Sequence, residues 1–195
     1  TVDMFPDLRE YEADELYPTE GFTYADGRPV KVYSAYTKKT VVRHMKWVRD
    51  YGLDGVFLQR FVNNVTGESL RRSRDTVTAN IMEGCEKYGR IFANMWDISG
   101  FTPGRMSVII EDWKHLVDDL KITESSRYLH HNGRPVLSIW GFNVSGRPGT
   151  ASQALELIGW LTTDAPAISA GIASPRESTS GKFHGGMTTP TPSGM

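Results

Sequence analysis

Three apolar runs of the chain close on the same kind of ending. LQRF finishes one at residues 58–61, MWDISG another at 95–100 and IWGF a third at 139–142. Gln59, Arg60, Trp96, Asp97 and Trp140 therefore stand where each run gives way to a loop. Taken singly, Gln and Arg there are only the first residues to reach water, their usual surroundings, and Trp at such a place is as often a core residue. Taken together, they have the chemistry of a sugar site. An indole offers an apolar face to the C–H side of a pyranose ring, while amide, guanidinium and carboxylate groups bond its hydroxyls from rigid elements.

The elements that position these residues follow from the apolar pattern. A turn at ADGRP (25–29) closes an acidic, turn-rich opening and leads into VKVYS, a short strand. Val41, Met45 and Val48 recur at helical spacing before a stop at Gly52, and the run DGVFLQRF follows. Leu70, Val77, Ile81, Cys85 and Tyr88 form the stripe of a second helix that ends at Gly89, ahead of RIFANMWD. Ile110, Trp113, Leu116, Val117 and Leu120 mark a third, HNGRP turns the chain into VLSIWGF, and Ala154, Leu155, Ile158 and Leu161 mark a fourth. Strands separated by helices of this length cannot form hairpins, so they lie parallel and are joined by right-handed crossovers. The fold class is α/β. No G-x-G-x-x-G or Walker pattern occurs, which favours a (β/α)8 TIM-barrel-like arrangement over an open dinucleotide-binding sheet. A full barrel takes about 250 residues, so 195 residues with three clear strands make an incomplete one, about half a barrel. In either architecture the carboxyl ends of the parallel strands share one face.

Composition narrows the function. A formal charge of −1, with Lys and Arg scattered, gives nothing that draws nucleic acid or an anionic membrane. No run reaches the roughly 18 apolar residues of a membrane span. The one cysteine, Cys85, falls in a helical pattern and reads as a small buried apolar residue. No cofactor motif is present, and no metal is expected: His130 and His131 are adjacent, so on a strand they point to opposite faces. The partial barrel occupies residues 1–170, and 171–195, rich in Gly, Ser, Thr and Pro without periodicity, form a tail expected to be poorly ordered.

The segments TVDMFPDLREY, ELYPT, YADGRPVKVYSAY, RHMKWVRDYGLDGVFLQRF, CEKYGRIFANMWDISG and RYLHHNGRPVLSIWGF, in this order over residues 1 to 165, resemble the barrel of proteins similar to glycoside hydrolase families 71 and 99, whose bacterial members are often labelled xylosidase or arabinosidase. The resemblance implies a (β/α)8 barrel acting on glycans and an extracytoplasmic (periplasmic or secreted) location. It also implies a first strand upstream of TVDMFPD and further strands after IWGF that bear the catalytic carboxylates. Those positions have no counterpart here, and PRES (175–178) resembles a degraded form of a family segment, a pattern that a truncated or frame-shifted chain produces.

Hydrolysis of a glycosidic bond usually needs two carboxyl groups about 5 Å apart, or wider for inversion. Asp97 is one candidate at a strand end. Glu83, Glu86, Asp112, Asp118 and Asp119 fall on helices and are expected to face outward, and Glu177 lies in the tail. The catalytic residues are thus unassigned, and Asp97 reads as a hydroxyl acceptor. A glycoside hydrolase-like protein, a non-catalytic carbohydrate-binding remnant and an inactive truncated fragment all stay open. An open sheet edge beyond VLSIWGF, unless residues 165–173 pair there, is expected to favour self-association. The sequons at Asn64 and Asn143 read as accidental in a chain resembling bacterial proteins.

Overall fold

A computed structural model of the chain describes residues 5–100, 106–142, 144 and 149–163. The expected tail, the segment 165–173, the boundary near residue 170 and Asn143 lie outside the described residues. The chain alternates strand and helix after an antiparallel start: β1 (Leu16–Thr23) pairs with β2 (Pro29–Tyr33). The sequence reading has β2 but takes the ground before it for turns. Pro18 and Gly21 are poor interior-strand residues, and β1 tolerates them because one side of it faces solvent along most of its length.

The remaining helices and parallel strands fall where the periodicity puts them. α1 (Lys38–Asp50), β3 (Gly55–Phe61), α2 (Glu68–Tyr88), β4 (Ile91–Asp97) and α3 (Ser107–Asp118) follow in order. β5 (His130–His131) and β6 (Arg134–Pro135) then make a small hairpin, and β7 (Leu137–Trp140) and α4 (Ala151–Thr163) complete the series. The hairpin turns on Asn132 and Gly133, both at positive φ, the conformation that an Asn-Gly pair adopts most readily. α2 ends as its sequence dictates. Gly89 takes φ 65° and its N–H bonds Cys85 O, a left-handed cap that a residue with a β-carbon adopts only with strain.

β3, β4 and β7 form one parallel sheet in that order, with Arg60 opposite Trp96, Phe61 opposite Asp97, and Asp97 opposite Trp140. The three polar endings are thus level with one another. Among the described strands, β3 and β7 are the edges, so the sheet is open and forms no closed barrel. Gly55 is placed at the foot of β3 by close approach: a β-carbon there would lie 2.0 Å from the Ile91 carbonyl oxygen.

The helices cover one side of the sheet. Met45 of α1, Ile81 and Cys85 of α2, Phe92 and Trp96 of β4, and Ile109, Trp113 and Leu116 of α3 share one buried core. Trp96 and Trp113 meet edge-on at 5.7 Å between ring centroids, and both are fully buried. A large apolar side chain buried in this way stabilises by about 1.5–3 kcal/mol. Cys85 lies in this core as the sequence suggests, and burial pushes its thiol up to about 12. Among the described residues no helix is long and apolar enough to cross a membrane.

Candidate functional site

Successive residues on a strand point to opposite sides of the sheet, and this alternation divides the five strand-end residues into two sets. Trp96 donates its indole N–H to Asp112 of α3 at 2.8 Å, which places Trp96 on the helix side. Arg60, its register partner, points the same way. Its guanidinium grips Asp112 with two nitrogens, Nε at 3.0 Å and Nη2 at 2.7 Å. Nη2 also reaches Asp75 of α2 at 3.0 Å, and Nη1 reaches Thr78 at 3.2 Å. Arg60 has no exposed surface. Asp112 is 3% exposed, so the expectation that it faces outward is corrected: the fork of Arg60 and the Trp96 indole draw it into the core.

The network runs on through α3. His115 holds Asp75 through Nε2 at 2.9 Å and Asp119 through Nδ1 at 2.6 Å. Arg60 thus ties the end of β3 to two helices by charge-assisted, bidentate bonding, the strong kind. The arrangement uses four of the five guanidinium N–H donors. Arg60 and Trp96 stand at the strand ends, as the sequence indicates, but on the side away from any ligand that meets the open face.

Gln59, Phe61, Asp97 and Trp140 take the other side. Reading across the sheet at the top, Phe61, Asp97 and Trp140 form a row, with Gln59, Met95 and Ser138 in the row below. No described helix covers this face: Phe57 is 53% exposed, Phe61 37% and Trp140 45%. Asp97 between the rings is only 3% exposed. Its Oδ2 accepts from Gln59 Nε2 at 2.6 Å, and its Oδ1 accepts from the Ser99 amide at 2.8 Å and from the Ser99 hydroxyl. The carboxylate is held from two sides, one of them its own loop.

Two rings at half exposure, a buried carboxylate between them and an amide beside it make a surface with apolar and polar parts at fixed spacing. It suits a flat ligand with one apolar face and hydroxyls around its edge. Phe61 and Ser99 belong to the site, and the reading of endings does not single them out. Phe61 was open to discovery by counting in twos from Gln59; Ser99 was not, because its role depends on the loop doubling back to Asp97. Among the described residues no group of three or more His, Cys, Asp or Glu is placed to hold a metal ion.

The fold and face together define an α/β chain with an open parallel sheet and a polar-aromatic surface at its carboxyl end. No protein-family profile matches the chain, and no curated protein matches it. Among solved structures it is similar to the GH99 endo-alpha-mannosidase from Bacteriodes thetaiotaomicron, determined with BIS-TRIS-propane, at a TM-score of 0.44 and 14% identity. That match covers 64% of this chain and 32% of the mannosidase, so the chain spans about a third of the length of that protein.

Proposed function

We propose that the chain is glycoside hydrolase-like and that its open face binds a carbohydrate. The observation that carries the reading is the row Phe61, Asp97, Trp140 with Gln59 beneath it, two partly exposed rings around hydrogen-bonding groups that are already fixed in place. The segments that resemble families 71 and 99 include the endings that build this row, which supports a glycan as the ligand. A ring of a pyranoside stacks on Trp140, and its edge hydroxyls meet the Gln59 side of the row.

A second reading, glycan binding without hydrolysis, is favoured by one count. Among the described strands Asp97 is the one carboxylate on the open face, and two are needed for the usual reaction. The test is calorimetry of the chain with methyl mannosides, glucosides and xylosides, followed by reducing-sugar release from the oligosaccharides of whichever binds. Wild-type chain is expected to give heat with at least one sugar. Trp140→Ala is expected to weaken every sugar that binds, since ring stacking is indifferent to which hydroxyls are present, and its unfolding transition is measured alongside to show that the chain stays folded. A Trp140→Ala chain that binds normally would sink the stacking role, and sugar release by the wild type would remove the non-catalytic reading.

A further inference from the structure

The hydrogen bond between Gln59 and Asp97 fixes more than a distance. A carboxylate only accepts hydrogen bonds, and both oxygens of Asp97 are already accepting, Oδ1 from Ser99 and Oδ2 from Gln59. The Gln59 amide nitrogen therefore faces Asp97. Its carbonyl oxygen faces away, and an amide that turned over would set that oxygen against the carboxylate.

We propose that Asp97 is a positioning residue that locks the Gln59 amide, so that Gln59 presents its carbonyl oxygen to the open face as the acceptor for one ligand hydroxyl. This rests on the carbohydrate-binding reading and adds a selection rule to it. The ligand donates a proton at that position, one row below the Phe61 and Trp140 rings. Asp97 itself stays out of contact: it is 3% exposed, while Gln59 is exposed. The rule is the reverse of what the residue types alone indicate, where the carboxylate is the natural hydroxyl acceptor and the amide an accessory.

Fluorine separates the two possibilities, because a deoxyfluoro sugar keeps the size and polarity of the hydroxyl but has no proton to donate. The experiment titrates wild-type chain with the methyl glycoside that binds, and with its monodeoxy and monodeoxyfluoro analogues at each carbon. One position is expected at which fluorine and hydrogen are equally harmful, each weakening binding about tenfold, the effect of one unmade bond at a partly dry site. In Gln59→Ala that penalty is expected to vanish, because the acceptor is gone. In Asp97→Asn the amide is free to turn, since Asn donates to the Gln59 oxygen, and the fluorine penalty is expected to shrink while binding of the parent sugar persists.

A wild-type chain that tolerates fluorine wherever it rejects hydrogen overturns the inference, because Gln59 then presents its N–H. A fluorine penalty that survives Gln59→Ala overturns it as well. Folded wild-type chain that binds none of the glycosides overturns the proposed function and takes this selection rule with it, whereas either of the first two results leaves carbohydrate binding standing.

Discussion

Gln59 and Arg60 are neighbours on one strand, and the surroundings of the two side chains have little in common. Arg60 faces the helices, where its guanidinium reaches Asp112, Asp75 and Thr78 and has no exposed surface. Gln59 lies on the face that no described helix covers, beside rings that are 37% and 45% exposed. The same contrast recurs at Trp96 and Asp97 on the next strand. What separates Arg60 and Trp96 from Gln59, the residue proposed to meet a ligand, is how much of their bonding capacity is used inside the protein. Arg60 has spent most of its donors on Asp112, Asp75 and Thr78, and Trp96 its one N–H on Asp112. Gln59 has an acceptor left.

That contrast is most open to attack at Arg60. Arg60→Met strands the buried carboxylate of Asp112 and takes one partner from Asp75, and breaking a buried ion pair from one side costs about 3–5 kcal/mol. Urea unfolding of Arg60→Met is expected to show a loss of that size, and the double variant Arg60→Met with Asp112→Leu is expected to recover part of it, because an apolar pair needs no ionic partner while the Trp96 indole N–H loses its acceptor. A single variant that loses under about 1 kcal/mol, the range of an exposed ion pair, would erase the distinction between the two sides.

The helix side also has one residue that does not fit. Asn94 is 2% exposed, on the same side of β4 as Trp96, and neither its Oδ1 nor its Nδ2 has a hydrogen-bond partner among the described residues. Its neighbours in register are Leu58 and Leu137. Asn94→Leu keeps the branching at Cγ and is expected to stabilise the chain by about 1 kcal/mol, since an unpaired buried amide costs roughly 1–3 kcal/mol. Thermal unfolding checks the sign. A destabilised variant would mean that the amide is satisfied.

The smallest effect concerns a second buried polar cluster, where the residue before β1 meets α1. Glu15 has no exposed surface; burial alone would raise its carboxyl, but Arg43 at 2.5 Å, the Glu12 amide at 2.9 Å and Thr40 at 3.1 Å together hold it below its ordinary value of 4.5. A carboxyl lowered by folding stabilises fully above its unfolded value, and that contribution is lost as pH falls through the folded one. Wild type is therefore expected to lose stability faster than Glu15→Gln as pH drops below 4.5. Burial also lowers the His44 imidazole below 6.5, so its own loss begins at higher pH; Glu15 opposes that lowering, which makes the His44 loss larger in Glu15→Gln and separates it from the acid limb below 4.5. Parallel acid limbs would show that Glu15 is not held as its contacts indicate.

Much of this was legible in the residues. Helical stripes such as Ile110, Trp113, Leu116 and Val117 locate α3, and Gly89 marks the end of α2, because both signals are local. The strand endings lead to the right level of the sheet. They do not give the side. Gln59 with Arg60, and Trp96 with Asp97, read as pairs, although adjacent strand residues point apart. Which of each pair meets the helices depends on Asp112, which sits within an apolar stripe of α3 and looks like a solvent residue until its partner 52 positions away is known. β1 was hidden for a different reason. Its pairing is antiparallel and mostly exposed, so Pro18 and Gly21 are tolerated where a buried strand would reject them.

The glycine at the foot of β3 bears on all of this from the far end of the strand. A slip of one residue in strand pairing turns every side chain to the opposite face. Such a slip between β3 and β4 would bring Val56 or Asp54 against the Ile91 oxygen, where a β-carbon at Gly55 would already be 2.0 Å away. It would also carry Arg60 out to the open face and bury Gln59 among the helices. Gly55 thus acts as a fidelity device. Room for hydrogen alone, four residues upstream, decides which of two neighbouring side chains is offered to the outside.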